Sequence, residues 1–316
     1  PRLNVFALDG APTLADVNEP LDFANFDQYP TGVVRDHKTW TSPTYRVNLG
    51  YDMTDDIFGY VGYSRGFKSG GYNDQIGTQL NPITKLAARP TDPEIANSFE
   101  GGIRASVLDG AANFALTAFI VNYTDAQRTL NATFPTGQET LFFNAAEMEI
   151  KGFEWEGSWA MTDALTVRVN GSWNDAQFKS FEADTNFDGV IDVDLSGRPV
   201  QRVPEWMFGA DATYIHHMQN DSEIGVNFRV SYEDASIQSY GDGGDQFNTT
   251  LNEKTLLDAS IKYSSPGDKY FVKLVGKNLT DKRYRTGSLS VASIWVMSAY
   301  GAPRWFGAEV GANFDF

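Results

Sequence analysis

Apolar and polar residues alternate along the last twelve residues of the chain, Trp305 to Phe316. Phe314 and Phe316 share the apolar row with Val310, whereas Glu309 stands in the polar row. A period of two places the rows on opposite faces of a strand, and this length is about what a tilted strand needs to cross a bilayer. The pattern, with its aromatic carboxyl terminus, is typical of the closing strand of an outer-membrane barrel.

Four further segments show the same alternation and are predicted to be strands. They are Phe153–Trp159, Leu165–Trp173, Ile224–Tyr232 and Leu256–Tyr263. Each has aromatic and branched side chains on one face and polar ones on the other, the lipid-out and water-in pattern of a large membrane barrel. The residues predicted to face the membrane are Phe153, Trp155, Trp159, Val167, Val169, Trp173, Val226, Phe228, Val230, Phe314 and Phe316. A soluble β-sandwich also alternates, so the pattern alone leaves both classes open.

The connections between the strands alternate in length, and this rhythm separates the two classes. Short turns are predicted near residues 52–56, 108–110, 161–164, 216–222 and 264–268. Long loops rich in Gly, Asn, Asp and Thr are predicted between them, near residues 68–95, 124–144, 179–204, 233–253 and 279–301. Outer-membrane barrels combine short periplasmic turns with long extracellular loops, whereas a sandwich has no reason to keep the rhythm. The chain is therefore predicted to be all-β, a transmembrane antiparallel β-barrel.

The segments add up to about eleven strands, beginning with Tyr45–Tyr51 and Ile57–Phe67. The strand at Ala111–Tyr123 has two competing apolar rows, one containing Leu116 and the other Phe119. For that strand, the sequence leaves open which row faces the membrane.

The strand count also predicts the domain organisation. Residues 1–40 are predicted to be an irregular extracellular loop segment, and residues 41–316 the C-terminal part of the barrel. A bacterial single-chain barrel has an even number of strands, and an open sheet edge in lipid leaves backbone groups unpaired. An odd number of strands therefore predicts that further strands precede this segment.

Composition narrows the function classes. The chain has 316 residues, 41% of them hydrophobic, but it has no apolar run long enough for a transmembrane helix, which excludes a helical membrane protein. A formal net charge of −16 argues against nucleic-acid binding, which needs a basic patch. No nucleophile elbow, metalloprotease helix or phosphate loop is present, so no enzymatic activity is predicted. His216 and His217 are adjacent on an extended chain and point apart, so a shared metal site is not expected.

One acidic segment matches part of a calcium-binding loop. The candidate ligands are Asp184, Asn186, Asp188, Val190, Asp192 and Asp194, with Gly189 at the tight turn. Leu195 occupies the position of the usual bidentate Glu, so that ligand is missing unless Asp194 or a remote carboxylate replaces it. A solvated acidic loop with a turn at Asp188-Gly189 explains the same residues. Apart from a calcium ion in this candidate loop, no cofactor is expected.

Five motifs in a fixed order resemble one protein family. They are G-F-K-S-G-G-Y-N at Gly66–Asn73, P-E-I-A-N-S-F-E-G-G-I-R at Pro93–Arg104, N-A-A-E-M-E-I-K-G-F-E-W-E at Asn144–Glu156, G-K-N-L-T-D-K-R-Y-R at Gly276–Arg285, and G-A-P-R-W-F-G-A at Gly301–Ala308. Each motif is loose alone, but their order and spacing are together specific. From about Thr39 to Phe316, the chain resembles the C-terminal half of the barrel of a TonB-dependent outer-membrane receptor.

The resemblance implies a barrel of about 22 strands with a plugged lumen, of which this chain would form half. The plug domain and the first barrel strands would lie upstream. The implied function is active uptake of a scarce, bulky nutrient, typically a siderophore–iron complex, with the extracellular loops capturing the ligand. The implied partners are the TonB, ExbB and ExbD complex, outer-membrane lipid and lipopolysaccharide, and a small-molecule ligand. The alternatives are a passive porin or structural barrel and, third, a secreted calcium-binding β protein.

Several residues within the motifs have predicted structural roles. Gly66, Gly70 and Gly71 suit a strand that leaves the sheet for an outer loop, because glycine tolerates positive φ. Asn278 and Asp281 suit the same exit on a later strand, where their side chains can cap freed backbone groups.

Aromatic residues are predicted to serve two purposes. Tyr240 and Phe247, in the loop at residues 234–252, are candidates for ligand contact, although packing within the loop explains them as well. Others are predicted to form aromatic girdles at the membrane interfaces. These are Trp155, Trp159, Trp173 and Tyr232.

Two arginines, Arg168 and Arg229, are predicted to lie on the polar face. Pairing with strand carboxylates such as Glu154 and Glu156 explains them better than ligand binding does. Inside a barrel, such residues would also help to seat a plug.

Overall fold

The computed structural model describes residues 2–5, 34–72, 90–134, 137–185, 189–240, 250–291 and 295–313, and the regular secondary structure of these residues is almost entirely β. The strands are β1 Arg2–Val5, β2 Val34–His37, β3 Tyr45–Thr54, β4 Ile57–Lys68, β5 Glu94–Val107, β6 Ala112–Phe134, β7 Gly137–Ala160, β8 Leu165–Ala183, β9 Val193–Asp194, β10 Trp206–His217, β11 Glu223–Glu233, β12 Ser236–Ile237, β13 Thr250–Leu251, β14 Lys254–Ser264, β15 Tyr270–Lys277, β16 Arg285–Val291, β17 Trp295–Tyr300 and β18 Trp305–Ala312. A 3-10 turn at Pro266–Asp268 lies between β14 and β15.

The main sheet is an antiparallel meander. Its path runs through β3, β4, β5, β6, β7, β8, β10, β11, β14, β15 and β18, and β9 joins it through β8. These eleven path strands confirm the predicted strand number and the all-β fold. Within the described ranges, β3 and β18 each pair with a single strand and form the two ends of the sheet.

Three two-stranded pairs lie outside the main sheet: β1 with β2, β12 with β13, and β16 with β17. The first pair falls within residues 1–40, so the prediction of a wholly irregular segment is wrong for Arg2–Val5 and Val34–His37. Strands of four residues are too short to show a clear alternation of apolar and polar residues. These two strands form because the segments pair with each other. Residues 6–33 between them lie outside the described part of the chain, and the boundary at residue 41 stays a prediction.

The predicted rhythm of short and long connections is present, with one exception. Short turns follow β3, β5, β7, β10 and β14. Residues 124–144, however, were predicted to form a loop, whereas residues 124–134 belong to β6 and residues 137–144 to β7, strands of 23 and 24 residues. The two strands remain paired as far as Phe134 and Gly137. Backbone pairing continues there through polar positions that give no alternation signal.

Cross-strand register gives the main sheet one apolar and one polar face. Trp159 pairs with Val167, and Val167 pairs with Ala212. Ala212 pairs in turn with Phe228. Paired residues point to the same face, so the apolar rows of neighbouring strands merge. Phe228 is 47% exposed and Leu274 is 54% exposed, which leaves this face uncovered by protein.

The residues predicted to face the membrane lie on this apolar face wherever the structure describes them. They are Phe153, Trp155, Trp159, Val167, Val169, Trp173, Val226, Phe228 and Val230. Phe314 and Phe316 lie outside the described residues. In β6, Leu116 pairs with Trp155 and shares the apolar face, whereas Phe119 pairs with Gly152 on the polar face. Among the described residues, no helix has the length and apolar character needed to span a membrane.

A small buried core lies where β6, β7 and β8 extend toward the long loops. Phe178 and Phe181 are fully buried and pack edge to face with ring centres 4.9 Å apart. Leu195 and Val200, from the segment after β8, pack into the same cluster. The backbone amide of Leu195 donates to the carbonyl of Phe181 at 2.9 Å. This core therefore anchors the 184–205 connection against β8.

Candidate functional site

Alternating charges cross the polar face of the sheet along one row of paired residues. Arg168 pairs in register with Asp211, and Asp211 with Arg229. Arg229 pairs in turn with Asp258, whose carboxylate lies 2.8 Å from Nζ of Lys277. The guanidinium of Arg168 lies 3.3 Å from the carboxylate of Asp211. We call these five residues the charge ladder.

The charge ladder crosses the sheet obliquely. Arg168 lies near the start of β8, beside a short turn, whereas Lys277 is the last residue of β15, where a long connection begins. Strands in a barrel are tilted and staggered, so a row of paired residues climbs the wall. The ladder therefore links the short-turn end of the sheet to its long-loop end.

Arg168 contacts a carboxylate on a neighbouring strand, as predicted, but its partner is neither Glu154 nor Glu156. Glu156 lies opposite Asn170, whereas Arg168 lies opposite Ser158. The carboxylate that Arg168 contacts comes from β10 on the other side. This pairing depends on the register between two strands, and that register cannot be predicted from the sequence of one strand alone.

The polar face is concave near the short-turn end. A concavity of about 720 Å³ has Asp52, Asp56, Arg104, Glu156 and Arg168 in its lining. A second concavity of about 440 Å³ adjoins it and shares Arg104 and Glu156. Side chains of both charge signs therefore contribute to the lining of this surface.

A hydrogen-bonded knot closes the base of the connection between β4 and β5. The amide of Thr91 donates to the carbonyl of Gly71 at 2.8 Å, and the amide of Gly71 donates to Oγ1 of Thr91 at 2.9 Å. Gln127, which is 5% exposed, donates through Nε2 to the carbonyl of Asp92 at 2.9 Å. Nδ2 of Asn144 donates to the same carbonyl at 2.9 Å. We call Gly71, Thr91, Asp92, Gln127 and Asn144 the loop-base knot.

Sequence reasoning missed this knot, although Asn144 opens one of the five motifs. The knot ties the end of β4 and the start of β5 to β6 and β7, so it fixes where the intervening connection leaves the sheet. A left-handed residue in β6, Asp125 with φ of 54°, precedes Gln127 and breaks the register of that strand. The break turns the Gln127 side chain toward the knot.

The prediction that the glycines near this knot are needed for positive φ is wrong. Neither Gly66, Gly70 nor Gly71 has a positive φ. Gly70 is instead required by close approach, because a β-carbon there would overlap the carbonyl oxygen of Thr91 and the indole of Trp40. Gly66 and Gly71 have open space at the same position.

The capping roles predicted for Asn278 and Asp281 are confirmed. Both have positive φ, at 48° and 53°, and Asn278 is 4% exposed. Oδ1 of Asn278 accepts the amide of Lys282 at 2.9 Å, and its Nδ2 donates to the carbonyl of Ala302 at 3.0 Å. Oδ1 of Asp281 accepts the amide of Arg304 at 3.0 Å. These bonds tie the exit of β15 to the entry of β18.

The carboxylates of the candidate calcium loop make bonds within the loop. Oδ2 of Asp184 accepts the amide of Gly189 at 2.7 Å. Oδ2 of Asp192 accepts the amide and the hydroxyl of Thr185 at 2.8 Å and 3.0 Å. These bonds fold the loop on itself.

Of the remaining candidate ligands, the structure describes Asp194 and Val190. Oδ1 of Asp194 accepts the amide of Ser196 at 2.9 Å, and hydrogen bonds from Ser196 hold the pKa of Asp194 below its ordinary value. Val190 is 63% exposed, and Asn186 and Asp188 lie outside the described residues. In the part of the chain that the structure describes, no group of three or more acidic or histidine side chains is arranged to hold a metal ion. Calcium binding stays a prediction.

Tyr240 packs within the loops. Its hydroxyl donates to the carbonyl of Pro199 at 2.5 Å, and the guanidinium of Arg198 lies 5.8 Å from its ring centre. Its ring also contacts the buried core. Loop packing accounts for these contacts, Phe247 lies outside the described residues, and a ligand role for either residue stays a prediction.

The two adjacent histidines occupy opposite faces, as predicted. His216 pairs with Ile224 on the apolar face, whereas Nδ1 of His217 lies 2.9 Å from the carboxylate of Glu223. The side chains therefore do not converge on one ion.

Comparisons with known proteins agree with this architecture. The family described as TonB dependent receptor-like, beta-barrel, matches residues 21–280. The metal-pseudopaline receptor CntO of Pseudomonas aeruginosa is 24% identical over 281 residues, which cover 88% of this chain and 34% of CntO. The chain thus spans about a third of the length of this relative.

Solved structures show the same fold. The ferric yersiniabactin uptake receptor FyuA from Yersinia pestis superposes with a TM-score of 0.68 at 20% identity, covering 90% of this chain and 38% of FyuA. The siderophore receptor PiuA from Acinetobacter baumannii gives a TM-score of 0.62 at 21% identity, covering 84% of this chain and 35% of PiuA. Because an outer-membrane barrel has an apolar outer face and a polar interior, the apolar face of this sheet is assigned to the membrane and the polar face to the lumen. The chain belongs to the TonB-dependent receptor β-barrel family, whose members are non-enzymatic outer-membrane transporters.

Proposed function

We propose that this chain is the C-terminal part of a receptor that takes up a metal–siderophore complex through the outer membrane by TonB-coupled active transport. The observation that carries the proposal is a polar, concave lumenal wall crossed by the charge ladder in a chain of this family. The names of the matched relatives support the ligand class, because CntO, FyuA and PiuA are each named as receptors for metal-binding or siderophore ligands.

The residues of this chain supply the wall and the loop anchors of that receptor. The loop-base knot and the bonds of Asn278 fix where two extracellular connections leave the sheet, so that these loops can present ligand-binding groups reproducibly. The charge ladder presents alternating positive and negative side chains for polar contacts with a plug domain from the N-terminal part of the receptor. Energy would come from the TonB, ExbB and ExbD complex through that part.

A passive porin or structural barrel is the second candidate, because it would have the same two-faced strands. A porin leaves its lumen open and needs no inner-membrane partner. Uptake that depends on TonB therefore separates the two functions.

The test uses the full receptor in its own cells. Deleting the gene should abolish uptake of one radioactive iron–siderophore complex during iron limitation, and restoring it should recover uptake only when TonB is present. Unchanged uptake of every siderophore tested in the deletion strain would refute the ligand class. Recovery without TonB would favour the porin.

A further inference from the structure

Two lysines lie directly opposite each other on the lumenal face of the sheet. Lys262 of β14 pairs in register with Lys273 of β15. Lys262 and Asp258 are an even number of residues apart on one strand, so both side chains belong to the polar face. We call Lys262 and Lys273 the lysine pair. Like charges that face each other across two strands destabilise a sheet, and an anion between them would relieve the repulsion.

The neighbouring carboxylates do not neutralise the lysine pair. In the part of the chain that the structure describes, neither ammonium group forms an ion pair with a carboxylate. Glu309 lies opposite Lys273 in register but is not within ion-pair distance of it. Glu223, near the same end of the wall, lies 2.9 Å from Nδ1 of His217. Both positive charges are therefore available to another anion.

Elsewhere on the polar face, lysines and arginines contact carboxylates. Nη2 of Arg46 lies 3.1 Å from Glu100, and Nζ of Lys254 lies 2.8 Å from Glu233. The cations at the two ends of the charge ladder have acidic partners as well. The lysine pair differs from these contacts because it places two cations side by side.

An aromatic ring positions one of the two ammonium groups. Nζ of Lys262 lies 4.8 Å from the ring centre of Phe271. That ring lies over Gly311, where a β-carbon would overlap it. A cation over an aromatic face keeps its charge, and its N–H groups on the far side remain able to donate. Gly225, opposite Lys262 on the other neighbouring strand, has open space at its β-carbon position. The ammonium group is thus positioned beside a gap in the wall.

The lysine pair lies near the short-turn end of the wall. Lys262 is close to the end of β14, and Lys273 is close to the start of β15. Short turns face the periplasm in outer-membrane barrels. Ser260 and Val275, a neutral register pair, separate the lysine pair from the end of the charge ladder. A solute that leaves the lumen toward the periplasm therefore passes the lysine pair late on its path.

We propose that the lysine pair is an inner subsite for a negatively charged metal complex, occupied between capture by the extracellular loops and release into the periplasm. The proposal rests on the proposed uptake function and adds the charge of the transported complex. The ammonium groups would donate charge-assisted hydrogen bonds to the oxygen atoms of the chelating ligand. Both lysines remain partly exposed, so water weakens the contact and allows the complex to leave.

The first experiment measures acetylation of individual lysines in the full receptor by mass spectrometry. The probe is ferric citrate, a negatively charged metal chelate, with ferrioxamine B, a positively charged chelate, and inorganic phosphate as separate arms. Ferric citrate above its dissociation constant should slow acetylation of Lys262 and Lys273 roughly fivefold. Lys151 and Lys179, which contact Glu149 on the outer side of the barrel, are the internal controls and should react at an unchanged rate.

Three results of the acetylation experiment would overturn the proposal. The first is no protection of the lysine pair by ferric citrate. The second is equal protection by ferrioxamine B, because charge would then not be recognised. The third is equal protection by inorganic phosphate, because the pair would then bind any small anion.

The second experiment measures uptake by cells of the radioactive iron–siderophore complex that the wild-type receptor transports. Lys262→Gln/Lys273→Gln should lower the maximal uptake rate several-fold and leave the half-saturating concentration unchanged, because capture by the extracellular loops is intact. Lys262→Arg/Lys273→Arg keeps both charges and should retain uptake, which separates charge from folding. The matched control Lys151→Gln/Lys179→Gln removes two ammonium groups from the outer side and should leave uptake unchanged.

The uptake measurements separate this proposal from the proposed function. An unchanged maximal rate in the glutamine variant of the lysine pair, or an equal loss in its arginine variant, would overturn the inner subsite. A wild-type receptor that takes up no iron complex would instead refute the proposed function, and that result is recognised without either variant.

Discussion

Asp258 joins the charge ladder to the loop exit after β15, because its Oδ1 accepts the backbone amide of Asn278 at 2.9 Å while its Oδ2 contacts Lys277 at 2.8 Å. One carboxylate thus satisfies a lysine on the lumenal wall and the first residue of the turn. The row of alternating charges therefore ends at the backbone of a loop anchor.

Replacing Asp258 with Ala should lower the free energy of unfolding of the folded barrel by about 1–3 kcal/mol, because the Asn278 amide loses its acceptor and Lys277 its partner. The matched control is Ser260→Ala, two residues along the same face, with an expected effect within about 0.5 kcal/mol. Urea unfolding of the full receptor in vesicles measures both. Equal effects of the two changes would mean that Asp258 has no special connection to the exit.

The pair Arg168–Asp211 should contribute little on its own. Its guanidinium side chain is 60% exposed, so water screens the interaction, and the coupling free energy should be below about 1 kcal/mol. A double-mutant cycle with Arg168→Gln and Asp211→Asn measures this coupling. A much larger value would show that the lumen is drier around the ladder than the exposure of Arg168 indicates.

An introduced charge should destabilise the barrel on the apolar face, whereas the polar face should tolerate it. Phe228→Arg places a guanidinium toward the membrane near the middle of β11 and should destabilise the inserted barrel by about 2–4 kcal/mol. Ser260→Arg introduces the same group on the lumenal face and should cost much less. The folded fraction after insertion into vesicles compares them, and similar costs would contradict the assignment of faces.

Gly70 and Gly71 should respond differently to the same substitution. Gly70→Ala forces a β-carbon against the Thr91 carbonyl and the Trp40 indole, so it should loosen the loop-base knot. Gly71→Ala meets open space at its β-carbon and should be tolerated. Limited proteolysis between β4 and β5 reports the difference. Matching cleavage rates in the two variants would exclude close approach as the reason for glycine at Gly70.

Calcium should protect the 184–194 segment from protease if its carboxylates bind the ion. Chelator should restore cleavage, and Asp184→Asn should abolish protection by removing a charged ligand and weakening the turn acceptor for Gly189. The readout is the rate of cleavage within this segment of the full receptor, with magnesium as the control ion. A rate that is the same with calcium and with chelator would exclude the site.

The sequence determined the architecture because the two faces of a membrane strand have opposite solvents. Because lipid contacts one face of each strand and water the other, apolar and polar residues alternate along the strand, and turn residues mark the short connections. Strand number and the shared face of Trp155, Val167 and Phe228 could therefore be predicted. Capping by Asn278 could be predicted too, because an Asn or Asp side chain hydrogen-bonds to backbone groups that are close to it in the sequence.

Only the tertiary structure decided which strands meet at which residues. Register selected Asp211 as the partner of Arg168 and aligned the charge ladder, since a single strand carries no information on its offset from the next. Pairing also extended β6 and β7 through residues without alternation. Close approach, not local φ, explained Gly70. Each of these depends on contacts between distant segments, and their geometry exists only after the sheet has assembled.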